Sequence, residues 1–437
     1  MSDRLAAGVA LAVLLAVTAL VGALGAGFRG PVISWSQARA RGRDLLAVPP
    51  EVRERHAAFH RTLRPWTYVA LLLGLAVPLL YGLTPLGARL VDVVAVGPRP
   101  LGAALGGLLL GALAEVVTIP IAIRKEIVLR RYGLSVQSWR GWLADAAKSA
   151  AVGAVLSAGL LVTLYALLGV SPRWWWLWAA PGAALLVVVL SFVFPVVVEP
   201  LFLRFEPMPD SPLRRRLLEL ADRGGVPVRD VLVADASRRT TALNAYVSGF
   251  GATRRIVVFD TLLRDAPEGE VEVVVAHELG HAARRDVVHG TAVAALGLAA
   301  LCCGLHVLLG WPAALERAGV GLAADPGSVG LLLAVAAVAG LVLTPAQNLL
   351  SRHVEARADE FALRLSGRPG VFAAMQERLA RTNLADLEPG LVKYLLFASH
   401  PTTVQRIAAA RQYATAAGSP PRSDHPDDPG HPPEASA

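Results

Sequence analysis

Apolar positions along this chain gather into seven long runs, at residues 5–28, 66–88, 100–123, 149–170, 174–198, 290–311 and 328–348. Each is close to the ~20 residues that a helix needs to cross the hydrocarbon core of a bilayer. The first run is too long for the apolar region of a signal peptide, and Arg4 is the only basic residue before it, so it reads as an uncleaved helix. The fifth opens on Trp174, Trp175, Trp176 and Trp178. Its position at the end of an apolar run points to an interfacial aromatic belt rather than to simple packing. The pattern predicts a mainly α, polytopic membrane protein with seven transmembrane helices.

Two polar stretches interrupt the runs. Residues 199–289 hold a helical pattern near Pro212–Arg223, with Leu217, Leu218 and Leu220 as its apolar positions. Two strand-like runs follow, Val231–Ala234 and Arg255–Phe259, with the turn-rich Asn244-Ala-Tyr-Val-Ser-Gly-Phe-Gly251 between them. Residues 351–362 are again helical in pattern. The expected organisation is five membrane helices over 1–198, a catalytic segment over 199–289, helices six and seven over 290–348, a second catalytic segment over 349–413, and a disordered tail over 414–437. From Gly418 on, that tail is rich in Pro, Ser, Asp and His, and its His425 and His431 read as solvated. There is no internal repeat.

Composition supports the membrane reading. Hydrophobic residues make up 54% and charged residues 17%, with a mean hydropathy of +0.50. Soluble chains carry about 25% charged residues. Cys302 and Cys303 lie side by side in an apolar run, which excludes a disulfide framework and a Cys-rich zinc finger, and leaves both as packing residues. The net charge is +8, from 42 basic and 34 acidic residues. Only Lys125, Lys148 and Lys393 are lysine, a bias that fits a GC-rich bacterial genome. The basic residues are spread over loops, not clustered among aromatics, so no nucleic-acid partner is expected; the lipid bilayer is.

Their distribution also orients the helices. Segment 29–65 holds eight arginines, Arg29, Arg39, Arg41 and Arg43 among them, and the loop after the third run holds Arg124, Lys125, Arg130, Arg131, Arg140 and Lys148. The alternate loops hold Arg89 and Arg99, then Arg173, then Arg317. Basic loops stay in the cytoplasm. The expected location is the cell membrane, multi-pass, with the N-terminus outside and both catalytic segments and the C-terminus cytoplasmic.

The chemistry lies in Val273-Val-Val-Ala-His277-Glu278-Leu-Gly-His281. On a helix His277 and His281 stand one turn apart on one face, where two imidazoles can hold one zinc ion. Glu278 lies beside that position, placed to take a proton from water. A catalytic zinc takes three protein ligands and a water. The third is sought in Ser351-Arg-His-Val-Glu355-Ala-Arg-Ala-Asp359, where Glu355 and Asp359 share a face. One could ligate while the other orients a ligand histidine; pairing of both with Arg352 or Arg357 is the plainer alternative.

The chain resembles the type I CAAX prenyl protease family of integral-membrane zinc endopeptidases. The resemblance rests on Glu199-Pro-Leu-Phe202, Asn244-Ala-Tyr-Val-Ser-Gly249, Arg255 to Leu263, His277-Glu-Leu-Gly-His281, Ser351-Arg, Glu355, Ala358-Asp359, Asn383-Leu-Ala-Asp386, Ser399-His400-Pro401 and Arg406-Ile407. It covers the C-terminal half by motif and the N-terminal half by layout alone. It implies a cytoplasmic α+β zincin-like catalytic domain, one zinc held by His277, His281 and Glu355, and Glu278 as catalytic base. It further implies Asp359 as support for a ligand histidine, His400 and Arg406 near the substrate carbonyl and backbone, and Asn244 in the substrate groove, followed by a strand edge near 245–249 that could pair with an extended peptide. The helix wheel agrees: Asp359 falls ~40° from Glu355, His353 ~160° and Glu360 ~140°. The implied substrate is an extended peptide or membrane-associated protein; seven runs favour this family over related quality-control peptidases with fewer helices.

Glu115, inside the third run, reads either as facing a water-filled chamber or as partnered by Thr118. His306 reads as packed. The competing classes are a seven-helix transporter or receptor-like protein with a structural or inactive zinc site, and a regulator or chaperone that binds membrane proteins without cutting them. Glu278 argues against the former, because a structural site needs no base and closes its fourth position with protein.

Overall fold

The computed structural model describes residues 3–26, 34–37 and 49–418. Arg29, Arg39, Arg41, Arg43, His425, His431 and the tail from 419 lie outside the described residues. The chain divides into two compact units, each discontinuous in sequence. One comprises Met1–Phe28, Arg61–Phe202 and Val288–Ala346; the other comprises Arg29–His60, Leu203–Val287 and Gln347–Ala437.

The first unit is built from the apolar runs. Among the described residues, seven helices are long and apolar enough to cross a membrane: Leu5–Ala23, Pro50–Gly82, Arg99–Arg131, Trp139–Val170, Trp175–Leu201, Asp286–Leu309 and Pro326–Ser366. With no water in a bilayer core, intrahelical hydrogen bonds are what satisfy the backbone of such spans. Pro195 removes a donor near the end of the fifth, where Phe194–Val198 widens to a π turn before the 3-10 turn Glu199–Leu201. Tyr165, Leu168, Trp175, Trp176, Cys303 and Val329 share one core. The aromatic-belt expectation is corrected here. Trp175 and Trp176 are each 1% exposed, with ring centroids 5.8 Å from His306, so they pack inside the unit; Trp178 alone of the four is strongly exposed. Glu115 is exposed on its helix. Thr118 turns its hydroxyl to the carbonyls of Ala114 and Glu115, not to the carboxylate.

The second unit packs helices on a four-stranded sheet. Its strands are β1 Phe205–Pro207, β2 Asp230–Ala234, β3 Ala245–Ser248 and β4 Arg255–Phe259, in spatial order β1-β2-β4-β3. β2 and β4 run parallel and the other pairs antiparallel, so β1 and β3 form the edges. β3 falls inside the stretch read as turn-rich. Gly249 ends it at φ +85°, a conformation that L side chains avoid. Helix Pro212–Arg223 starts at Ser211, whose hydroxyl accepts from Arg214 N at 3.1 Å, an N-cap. Its Leu213, Leu217, Leu220 and Ala221 fall on one stripe and are all buried.

Helix Glu268–Ala283 begins after Pro267 and carries the His-Glu pair. Its Val271, Val273, Val275 and Leu279 join Leu217, Ile256, Val258, Leu262, Phe372 and Met375 in the main core of the unit. Helix Val329–Ser366 runs unbroken for 38 residues, 18 beyond the seventh apolar run, and brings Glu355 and Asp359 into the unit. At Gly280 the two helices meet: a Cβ there would lie 3.1 Å from Ala358 Cα and 3.2 Å from Ala358 O. The fold is thus mainly α and polytopic, with a small-sheet α+β unit holding the motif residues.

Candidate active site

His277 and His281 project from one face of helix Glu268–Ala283 with ring centroids 4.9 Å apart and planes at 89°. Their Nε2 atoms are 3.3 Å apart. Glu355 enters from helix Val329–Ser366, with Oε2 3.3 Å from His277 Nε2 and Oε1 3.6 Å from His281 Nε2. Both outward nitrogens are held by carboxylates. His277 Nδ1 lies 2.9 Å from Asp359 Oδ1, and His281 Nδ1 lies 3.0 Å from Asp286 Oδ2. Carboxylates at these positions suit an Nδ1–H donor on each ring, the tautomer that leaves Nε2 to bind a metal.

This arrangement fits a metal ion. A tetrahedral ion with bonds of about 2.0–2.1 Å holds its donors about 3.3 Å apart, which is the spacing seen among the three groups. Glu355 Oε2 is buried without a hydrogen bond, a costly state for a carboxylate unless a cation meets it. Burial alone would discharge His277. Asp359 and then Glu355 outweigh that burial and push its pKa up to about 10, so the pocket favours positive charge where the ring stands. His277, His281 and Glu355 are the one group of metal-ligating residues that converges among the described residues.

Glu278 follows His277 on the helix and is half-buried. Burial raises its carboxyl pKa above the usual carboxylate value, against the pull of His277 and His281. Asp359 is shared: Arg406 Nε donates to its Oδ2 at 2.8 Å, and a second guanidinium nitrogen bonds Oδ1. Gln376, with its amide oxygen turned to the guanidinium, accepts from Nε and Nη2 at 3.1 Å. His400, its side chain 60% exposed, places Nε2 3.3 Å from Glu355 Oε1.

Of the residues singled out in the sequence, seven meet in this cluster: His277, Glu278, His281, Glu355, Asp359, His400 and Arg406. Asn244 does not touch it. Its side chain accepts from Ala245 N at 3.0 Å and its carbonyl from Phe259 N at 3.0 Å, so it opens strand β3. His353 and Glu360 stay out of the metal-ligating group. Arg406 is half-buried and sits against Asp359. No motif in the sequence points to Asp286. Its signal is a carboxylate opening a helix just after Arg285, which takes φ 56° and turns the chain back toward His281.

Known proteins resemble this chain over both its membrane and its catalytic regions. Residues 207–414 match the model of peptidase family M48, and residues 62–204 match that of the CAAX prenyl protease N-terminal region, described as five membrane helices. An uncharacterized metalloprotease of Bacillus subtilis, YhfN, is 29% identical over 69% of this chain and 72% of its own. A CAAX prenyl protease 1 homolog of Arabidopsis thaliana is 28% identical over 68% and 70%. The fold matches the crystal structure of S. mikatae Ste24p with a TM-score of 0.76 at 19% identity, over 94% of this chain and 99% of that one. The two matched regions together take up most of the sequence, and the chain is a multi-pass membrane metalloprotease that resembles peptidase family M48 and the CAAX prenyl proteases.

Proposed function

We propose that the chain is a zinc endopeptidase that cuts extended, membrane-associated peptide or protein substrates, with Glu278 as general base. The observation that carries this reading is the convergence of two Nε2 atoms, 3.3 Å apart, on the Glu355 carboxylate at 3.3 Å and 3.6 Å, with its Oε2 buried and unbonded. His277, His281 and Glu355 would hold the ion. A bound zinc supplies Lewis acidity, polarising a carbonyl and making a water easier to deprotonate. Glu278 accepts that water's proton and passes it to the leaving amine. His400, half-free beside Glu355, donates to the oxyanion that forms at the carbonyl. Arg406 holds Asp359, and through it His277, in register. Asn244 opens edge strand β3, to which an extended peptide can add as a further strand.

The test is Glu278→Gln, which keeps shape and removes the base. Zinc content is expected to stay near one per chain while cleavage of an unstructured peptide reporter falls at least ~100-fold. Cleavage near the wild-type rate would sink the mechanism. The catalytic unit and C-terminus are proposed to be cytoplasmic, on the strength of the Arg/Lys asymmetry of the loops. A cysteine replacing Ser2 should then label with an impermeant reagent in intact cells and one replacing Pro420 should not; the opposite pattern inverts the topology.

A further inference from the structure

The helix that carries Glu355 and Asp359 bears two more polar residues on the same stripe. Asn348, Arg352, Glu355 and Asp359 are spaced four, three and four apart. At about 100° per residue they fall within roughly 60° on the helix wheel. The first two face a different neighbour. Asn348 Nδ2 donates to Leu395 O at 2.9 Å, and Arg352 Nη1 donates to Tyr394 O at 3.1 Å and to Ala398 O at 2.6 Å. Arg352 is 2% exposed, and its guanidinium lies 4.2 Å from the centre of the Tyr394 ring. A buried arginine ordinarily meets a carboxylate. This one meets carbonyl oxygens and an aromatic face.

Those carbonyls close the short helix Leu391–Phe397. The last carbonyls of a helix have no intrahelical donor and carry the negative end of its dipole. The cap residue, Ala398, has φ −98° and ψ 93°, so no left-handed turn ends the helix. Arg352 and Asn348 supply the missing donors from outside. Two residues beyond Ala398 is His400. Pro401 bars helix at that point, Ser399 Oγ lies 2.9 Å from His400 Nδ1, and His400 Nε2 faces Glu355. Past the loop, Gln405 bonds the Tyr394 hydroxyl at 3.2 Å and accepts from Thr402 N at 2.8 Å, in a capping box. The loop 398–402 is therefore tied at both ends to Arg352 by way of Tyr394.

We propose that Arg352, assisted by Asn348, is a positioning residue for His400: it caps the preceding helix from the side and so fixes the imidazole against Glu355. This rests on the oxyanion role proposed for His400. The full-length protein tests it in a double-mutant cycle of Arg352→Lys and His400→Ala. Lysine keeps the charge but cannot stack and bond two carbonyls in one plane. Arg352→Lys should lower kcat about 10-fold or more, with KM and zinc content near wild type. In the His400→Ala background the same change should cost no more than about 2-fold. In chelator-treated protein, diethyl pyrocarbonate should modify His400 faster in Arg352→Lys and in Asn348→Ala than in wild type, read by mass spectrometry. Effects of Arg352→Lys and His400→Ala that multiply, with unchanged His400 modification, would overturn the inference and leave His400 its role. A wild-type kcat in His400→Ala would instead remove that role. Should Arg352→Lys fail to fold, Asn348→Ala at its half-buried site replaces it in the cycle, and the same results support or overturn the inference.

Discussion

At Gly280 one hydrogen atom sets the distance between the helix bearing the histidines and the helix bearing Glu355. An added methyl would press on the Ala358 backbone, which must yield by a few tenths of an ångström. Gly280→Ala is therefore expected to weaken zinc retention in a chelator titration and to cost about 1–3 kcal/mol in unfolding. Unchanged retention would show that the contact has slack. Asp286 acts on the other side, through His281 Nδ1. Asp286→Ala should lower metal affinity or activity about 10–100-fold, and Asp359→Ala the same through His277. Glu355→Ala should empty the site, and His353→Ala should leave zinc content as it is. Loss of zinc in His353→Ala with retention in Glu355→Ala would overturn the ligand set. Helix periodicity sets His277 and His281 on one face with Glu278 beside them, which makes the pair legible in the sequence; Glu355 is singled out from Asp359 only by the family resemblance, since the two share a face. Asp286 is not, because a left-handed turn at Arg285, which no periodicity predicts, brings it back to the ring.

Among the elements, the segment Asn383–Asp386 shows how far a short motif can reach. Asn383 Oδ1 accepts from Leu243 N at 3.1 Å and its Nδ2 donates to Leu243 O at 3.3 Å, which fixes the backbone one residue before Asn244 and β3. Leu384 takes φ 47°, a strained value for a branched residue. His60 Nε2 bonds its carbonyl at 2.8 Å, and His56 Nδ1 bonds that of Ala385 at 2.8 Å. Asp386 pairs with Lys393 at 2.6 Å. Asn383→Ala removes both contacts to Leu243, leaving two backbone groups unpaired at about 1–3 kcal/mol each if they stay buried. The start of β3 should loosen. A rise in KM for an extended peptide with unchanged zinc content is the expected result; an unchanged KM would separate β3 from substrate binding. The helix Pro212–Arg223 and strands β2 and β4 can be read from their own residues. β3 lies among turn residues and is expected as a strand only through the family resemblance; Tyr246 and Val247 favour the extended form, and pairing with β4 holds it.

Across the whole molecule, the seven apolar helices are legible from length and hydropathy alone, because the bilayer requires the backbone to satisfy itself. The inward turn of Trp175 and Trp176 is not, because a run of apolar residues gives no direction. The catalytic unit draws on separate stretches of sequence, and the ion would join two of them. Anything that binds the folded form alone stabilises it, by about 4 kcal/mol at 1,000 times its dissociation constant. Stripping the metal should therefore lower the Tm of the catalytic unit, and re-adding zinc should restore it; a Tm indifferent to chelator would mean that the unit holds its shape without the ion.

The wide separation of Glu355 from the histidine pair also has a meaning in time. About 70 residues, including two apolar runs, are made after His281 and before Glu355. At about 5–20 residues per second the ribosome needs roughly 4–15 s to cover that distance. During this interval the nascent chain carries the two histidines and Glu278 but no third ligand, no Asp359 and no His400. A chain stopped at residue 346 should accordingly hold no zinc and cut nothing. The protease would be silent while its own membrane helices are exposed and unpacked, and would acquire its activity only once the last of them has left the ribosome.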